Sequence, residues 1–148
     1  MIESSPVKVF LDSSVIIAAT LSSTGGSFRL CRECRDHHLI AYINQYVQDE
    51  VREAFARKYV STIDKINLLL EWSKINIIPN PKPDFVRKIG NLINLEDAPI
   101  LAGALGSEVD FLVTLDRKDF MTPKLKKFSL PTIITTPQDF FQQHWNGK

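Results

Sequence analysis

Residues 7–21 read VKVFLDSSVIIAATL, and this stretch decides the fold. Val7–Asp12 is a short β-branched and aromatic run, which reads as a strand. It ends in an aspartate, and Ser13–Leu21 follows at once as a helix. The rest of the chain keeps that alternation.

Working outward, SSTGGS over 22–27 reads as a loop, Phe28–Asp36 as a helix and Leu39–Ile43 as a second strand. Gln45–Tyr59 is helical, because Val47, Val51 and Phe55 fall at i, i+4 and i+8 on one face. Ile63–Lys74 is a further helix with Ile66, Leu69 and Leu70 inward, and Ile75–Ile78 is a third strand. In PNPKP, residues 79–83, the prolines block both helix and ladder hydrogen bonds, so this piece is an extended connection. Asp84–Ile93 reads as helix. Asp97–Val109 reads as a second, with Pro99 in the first turn, where a missing N–H does no harm. Phe111–Leu115 and Thr132–Thr135 are the fourth and fifth strands. Thr136 then caps a last helix, with Pro137 at its first position and Asp139 at its third. Strands alternating with helices imply an α/β fold with a mostly parallel sheet covered on both faces. In such folds reactive groups gather outside the carboxyl ends of the strands, where strand order reverses.

A chain of 148 residues is expected to form a single domain, 1–148. Hydrophobic residues at 44% and charged residues at 24% exclude disorder, collagen and coiled coil. The formal charge is 18 − 17 = +1, so any contact with nucleic acid must come from a local patch. Two cysteines cannot build a disulfide framework. Val7–Leu11 is too short for a signal peptide and contains Lys8, and no apolar run approaches the ~20 residues of a membrane helix. These features give the expectation of a soluble cytoplasmic protein.

Four acids lack a simple explanation. Asp12 and Asp116 each close a strand-like run, VKVFLD and FLVTLD, and parallel strands bring both to one sheet edge. Each alone reads first as a turn or cap residue, and it is the pair on one edge that shifts the balance toward a site. Glu50 has Tyr46, Val47, Glu53 and Ala54 as helical neighbours, none a cation, and it sits beside the Val47/Val51 stripe. Asp97 heads a helix whose face runs on through Leu101, Ala104 and Leu105, so N-capping is its alternative role. Asp119 is either a fifth member or a turn residue.

If these acids converge, two charges about 4 Å apart repel by ~4 kcal/mol at an effective dielectric of 20. Several such pairs exceed what a domain stable by ~5–15 kcal/mol can carry. The acids must therefore protonate or bind cations. Oxygen-only ligands select Mg²⁺ or Mn²⁺ over zinc. A water activated by such an ion is a nucleophile for phosphodiester cleavage, and a second ion can steady the leaving oxygen.

The sequence resembles the PIN-domain family, of the kind found as VapC-type toxins. The resemblance rests on VFLDSSV at 9–15, DEV at 49–51, EDAPILA at 96–102 and VTLDRKDF at 113–120, in that order. It implies a three-layer α/β/α sandwich with a five-stranded parallel sheet, and Mg²⁺- or Mn²⁺-dependent endoribonuclease activity. It further implies an antitoxin partner and a homodimer. Carried over by position, Asp12, Glu50, Asp97 and Asp116 match the acidic set and Asp119 a more variable acid. Ser13 matches a hydroxyl that helps order the site, and Thr114 a threonine ahead of the late aspartate. Ser14 departs from the asparagine many members carry there.

Between Arg117 and Lys127 the cations Arg117, Lys118, Lys124, Lys126 and Lys127 face one acid, Asp119. This is either a solvated surface loop or a patch that steers RNA phosphates. Arg29, Arg32 and Arg35 form a weaker second patch. Cys31 and Cys34 with His37 and His38 offer four zinc-type ligands within eight positions, yet the run reads as one amphipathic helix with buried thiols. Phe140, Phe141 and Trp145 read as core or dimer contacts, and His144 as incidental. Two other functions compete. One is a PIN-fold module that binds RNA or protein without turnover. The other is an aspartyl-phosphate protein, but Asp12-Ser13-Ser14 lacks the acidic pair or Asp-x-Asp that it needs.

Overall fold

A computed structural model describes residues 5–58 and 63–145. Strand β1 is Val7–Leu11, β2 Leu39–Asn44, β3 Asn76–Ile78, β4 Phe111–Val113 and β5 Ile133–Thr135. All pair parallel, in the order β3-β2-β1-β4-β5. The chain builds outward from β1 in both directions, so strand order reverses between β1 and β4. That junction is where an open parallel sheet leaves a crevice at its carboxyl edge.

The helices are α1 Ser13–Leu21, α2 Gly26–Arg35, α3 Gln45–Lys58, α4 Ile63–Trp72, α5 Pro83–Ile89, α6 Ala98–Gly106, α7 Arg117–Phe120 and α8 Pro123–Lys126. A short α9, Pro137–Asp139, continues as a π-helical turn over Phe140–His144. Both sheet faces are covered. Phe10, Leu112 and Tyr42 share one register row, and Phe10 meets α6 at Gly103. Val9, Ala41 and Phe111 form the adjacent row, which points to the opposite face, and there Phe140 packs edge-on against Phe111 with ring centroids 5.1 Å apart. This is the expected α/β/α sandwich.

Two residues set how closely α6 approaches. A Cβ on Gly103 would stand 2.6 Å from Asn44 Nδ2 and 2.9 Å from Phe10 Cζ, so only glycine fits. Buried Asn44 at the end of β2 accepts from Val47 N (3.0 Å), capping α3, and donates to the Pro99 carbonyl (3.1 Å) in the first turn of α6. The starts of α3 and α6, which carry Glu50 and follow Asp97, are thereby tied to one strand end.

Several boundaries differ from the sequence expectation. β4 stops at Val113, so Asp116 lies three residues beyond the strand rather than at its end, although Thr114 N still donates to Thr135 O (2.9 Å). α6 ends at Gly106 instead of Val109, since Glu108 takes the left-handed conformation (φ 55°). α4 ends before Lys74 for the same reason (φ 57°). α5 begins at Pro83 and ends at Ile89. The expected end of α3 at Tyr59 lies outside the described residues. The stretch 117–127 is two short helices rather than a loop; Asp116 and Thr122 cap them by accepting from Asp119 N (3.0 Å) and Leu125 N (3.1 Å). Thr136 caps α9 as expected, accepting from Asp139 N at 3.1 Å. Among the described residues no helix is long and apolar enough to cross a membrane.

Candidate active site

The crevice between β1 and β4 is lined by acids from four separate places in the chain. Asp12 sits where β1 becomes α1, and it is 4% exposed. Its backbone N–H donates to Val113 O (3.0 Å), which locks it beside β4. Its side chain caps nothing on α1. Instead Oδ2 accepts from Ser14 Oγ and Thr114 Oγ1, both at 2.7 Å. Both hydroxyls are also acceptors: Ser14 from Leu115 N (3.0 Å) and Thr114 from Asp116 N (2.9 Å). One hydrogen-bond network therefore sets Asp12 and the turn that delivers Asp116. Such a network is demanding, since a buried carboxylate without donors is costly.

Ser13 Oγ donates to the Glu50 carboxylate and lies 3.4 Å from Asp12 Oδ1, so it links α1 to α3. Glu50 is half-buried, and burial, followed by the Asp12, Glu53 and Glu96 charges, raises its carboxyl against the opposing Ser13 hydrogen bond. Asp97 occupies the N-cap position of α6 but has helical backbone and makes no capping bond, so the capping alternative fails. Its carboxyl is pushed up to about 7, first by burial and then by Asp119, Asp12, Asp116 and Glu50. Asp97, Asp116 and Asp119 each offer a carboxylate oxygen within 4.8 Å of the others. Asp119 is raised as well, first through its hydrogen bond with Asp116. Asp97, Asp116 and Asp119 thus gather at one place, and Asp12 and Glu50 lie within electrostatic reach of Asp97. Among the described residues no lysine or arginine forms an ion pair with any of them. Repulsion at this density is relieved by holding a proton or by admitting a cation, and an all-oxygen donor set fits a hard divalent ion.

Sequence reasoning missed three neighbours and marked Ser14 only as a departure from the family's asparagine. Ser14 orders Asp12 through partners about a hundred positions away, which no local pattern reveals. Asn94 Nδ2 donates to Asp119 Oδ1 (3.0 Å). Tyr46 Oη donates to the Glu96 carbonyl (2.9 Å), and Glu50 and Asp97 both press on its hydroxyl. Asn44 joins α3 to α6. Tyr46 had a signal, its i−4 spacing from Glu50; Asn94 and Asn44 had none.

The remaining features fall outside the site. Cys31 and Cys34 are buried and unpaired, with burial pushing the Cys31 thiol to about 11 and Cys34 higher still. α2 ends before the histidines, so His38 does not share the thiol face; it pairs with Glu33 at 3.0 Å, and His37 faces Lys74. The four do not gather. Arg117 is tied to Asp139 (3.3 Å), while Lys118, Lys124, Lys126 and Lys127 are exposed, with Lys118 and Lys124 near Asp119. Arg29 lies over the Phe141 ring, and Arg35 over Trp72 while it pairs with Asp36. Phe140 is core, Trp145 packs on it, and His144 rests on Phe111.

Residues 8–118 match the sequence model of the PIN domain. No curated protein matches the chain in sequence. Among solved structures, VapBC2 from Rickettsia felis, bound to a DNA fragment from its promoter, is similar at TM-score 0.67 and 15% identity. That likeness covers 88% of this chain and 98% of the other. PAE2754 from Pyrobaculum aerophilum is similar at TM-score 0.60 and 16% identity, over 87% and 83% of the two chains.

Proposed function

This chain belongs to the PIN-domain family, and from that premise we propose that it is a Mg²⁺- or Mn²⁺-dependent endoribonuclease, the toxin of a toxin–antitoxin pair. The observation that carries the reading is the gathering of Asp97, Asp116 and Asp119, with Asp12 and Glu50 in electrostatic reach, where burial first and then these charges lift Asp97 to about 7. A structural role asks for none of this crowding, which destabilises the metal-free chain.

In this reading Asp12, Glu50, Asp97 and Asp116 hold the ion, with Asp119 beside them. A bound divalent ion supplies Lewis acidity at the scissile phosphate and screens the acids from the RNA. The chain's own groups do the rest. Ser13, Ser14 and Thr114 fix carboxylate orientation before substrate arrives, so little reorganisation is left for the reacting complex. Lys118, Lys124, Lys126 and Lys127 take flanking phosphates and offset the repulsion an anionic strand meets at the pocket. The likeness to a VapBC2 structure supports an antitoxin as protein partner, and we extend the proposal to a cytoplasmic homodimer.

The test is incubation of RNA with the protein in Mn²⁺ and in chelator. Cleavage is expected with Mn²⁺ alone, and Asp97→Asn should lose at least about 100-fold, the scale of several kcal/mol of transition-state stabilisation. No cleavage by the wild type, or equal cleavage by Asp97→Asn, sinks the proposal and leaves a binding module.

A further inference from the structure

β5 ends the sheet on one side, and among the described residues no strand pairs with its outer edge. Ile133 N donates to the Asp110 carbonyl (3.0 Å), and the Thr135 carbonyl accepts from Thr114 N (2.9 Å). Both residues thus spend main-chain groups on the β4 side. Main-chain groups alternate along a strand, so those of Ile134 point to the open side. Thr132, just before the strand, also has no main-chain bond to any described residue. N–H and C=O groups left unpaired at a sheet edge are a template for an added strand. Thr132 and Ile134 also line a cavity of about 320 Å³, together with Met121, Leu125, Phe128 and Leu130. Phe128 is 48% exposed on that wall. Thr132 is buried, and its hydroxyl has no partner among the described residues. A buried hydroxyl without a partner is costly, and an occupant carrying polar main chain relieves it. The lining includes Lys126 and no acid, and Lys124 and Lys127 are exposed nearby in the chain. Sites for small ligands span roughly 300–1,000 Å³, so this cavity suits one large side chain better than a cofactor.

We infer that this edge is a docking surface for an extended, acidic segment of another protein. The segment adds to β5 as a further strand, its main chain pairing with that of Ile134. One large apolar side chain of the segment enters the cavity and covers Phe128. Carboxylates on either side of it meet Lys126 and Lys127. β5 has three residues and Pro131 stands before it, so the pairing is short. The cavity and the lysines therefore carry the selectivity. The inference is independent of the nuclease reading and holds whether or not the chain cleaves RNA.

The test titrates the full chain with a capped heptapeptide, Glu-Thr-Val-Phe-Val-Thr-Glu, while backbone amide resonances are followed. Shifts are expected to centre on residues 126–135. Alanine in place of the peptide's phenylalanine should weaken binding about tenfold. Lysines in place of its glutamates should weaken it about fivefold. Methylating every second amide nitrogen of the peptide separates strand addition from side-chain contact alone. In one phase the methyl groups face β5 and abolish binding; in the other they face away and leave it within about twofold. Lys126→Glu should reverse the charge preference, and Phe128→Ala should weaken binding. Both side chains are exposed, so neither substitution threatens the fold. Equal binding of the two methylated peptides, shifts centred elsewhere, or no saturable shift at millimolar peptide overturns the inference. Two competing occupants would overturn it as well. Shifts at 128–135 on concentrating the free chain would assign the edge to a second copy. A single-stranded RNA that shifts 128–135 and displaces the peptide, in chelator, would assign it to the nucleic acid.

Discussion

A single carboxyl shows how the site trades stability for chemistry. Asp97 ionises near 4 in the unfolded chain and near 7 in the folded one. Between those values the native state holds the extra proton, so its contribution to stability falls as pH rises from 4 to 7 and is flat above. Glu50 shifts in the same direction. In metal-free buffer Asp97→Asn should therefore melt above the wild type, with the gap widening from pH 5 to pH 8. Added Mn²⁺ should raise the wild-type Tm more at pH 8 than at pH 5 and leave the variant nearly unmoved. Calorimetry across that range checks both; a gap that shrinks with pH refutes the account. Thr114→Val makes the opposite case. It keeps the shape but strips one donor from buried Asp12 and one acceptor from Asp116 N. The expected loss is about 1–3 kcal/mol in urea unfolding, with Mn²⁺ affinity down roughly 10–100-fold by titration calorimetry. Asp12 and Asp116 were legible because each closes a strand-like run, Glu50 because its helical neighbours include no cation, and Asp97 because it heads a helix. Asn94 was not, because its partner is set by folding alone, and Ser14 was visible as a motif position but not through its partners.

At the scale of elements, the site depends on how close α6 comes to the sheet. Gly103→Ala drives a methyl into Asn44 and Phe10, neither of which has room to retreat. It should cost about 1–3 kcal/mol. Because Asn44 also caps α3, the strain reaches both helices that position site acids, so cleavage should fall alongside Tm. A variant that melts like the wild type would show that α6 shifts freely. Element type and order were readable from periodicity: all five strands and the long helices stand where alternation put them. Ends were less so. Glu108 and Lys74 stop helices by entering left-handed backbone that neither residue type favours. α7 and α8 are four residues each, too short for a repeat to show. β4 closes at Val113 although Thr114 keeps its N–H on Thr135 O.

For the whole molecule the near-neutral total conceals a division. Asp97, Asp116 and Asp119 crowd together, Lys118 and Lys124 are exposed near Asp119, and the exposed Lys126 and Lys127 follow in the chain. Net charge of +1 gives no general pull on RNA, so binding must be local and its salt dependence small and countable. Each lysine that neutralises a phosphate releases a counterion and adds about 0.7 to the slope of log affinity against log salt for a single strand. Lys126→Ala with Lys127→Ala should lower that slope by about 1.4 if both make contact. Arg117→Ala should change it little, because Arg117 is already paired with Asp139. The measurement is binding of a single-stranded RNA to Asp116→Asn, which holds turnover down, at a series of KCl concentrations with Mg²⁺ fixed. A slope unchanged by the double lysine substitution would move the RNA path off this flank, while a large effect of Arg117→Ala would mean the Asp139 pair opens to receive the strand.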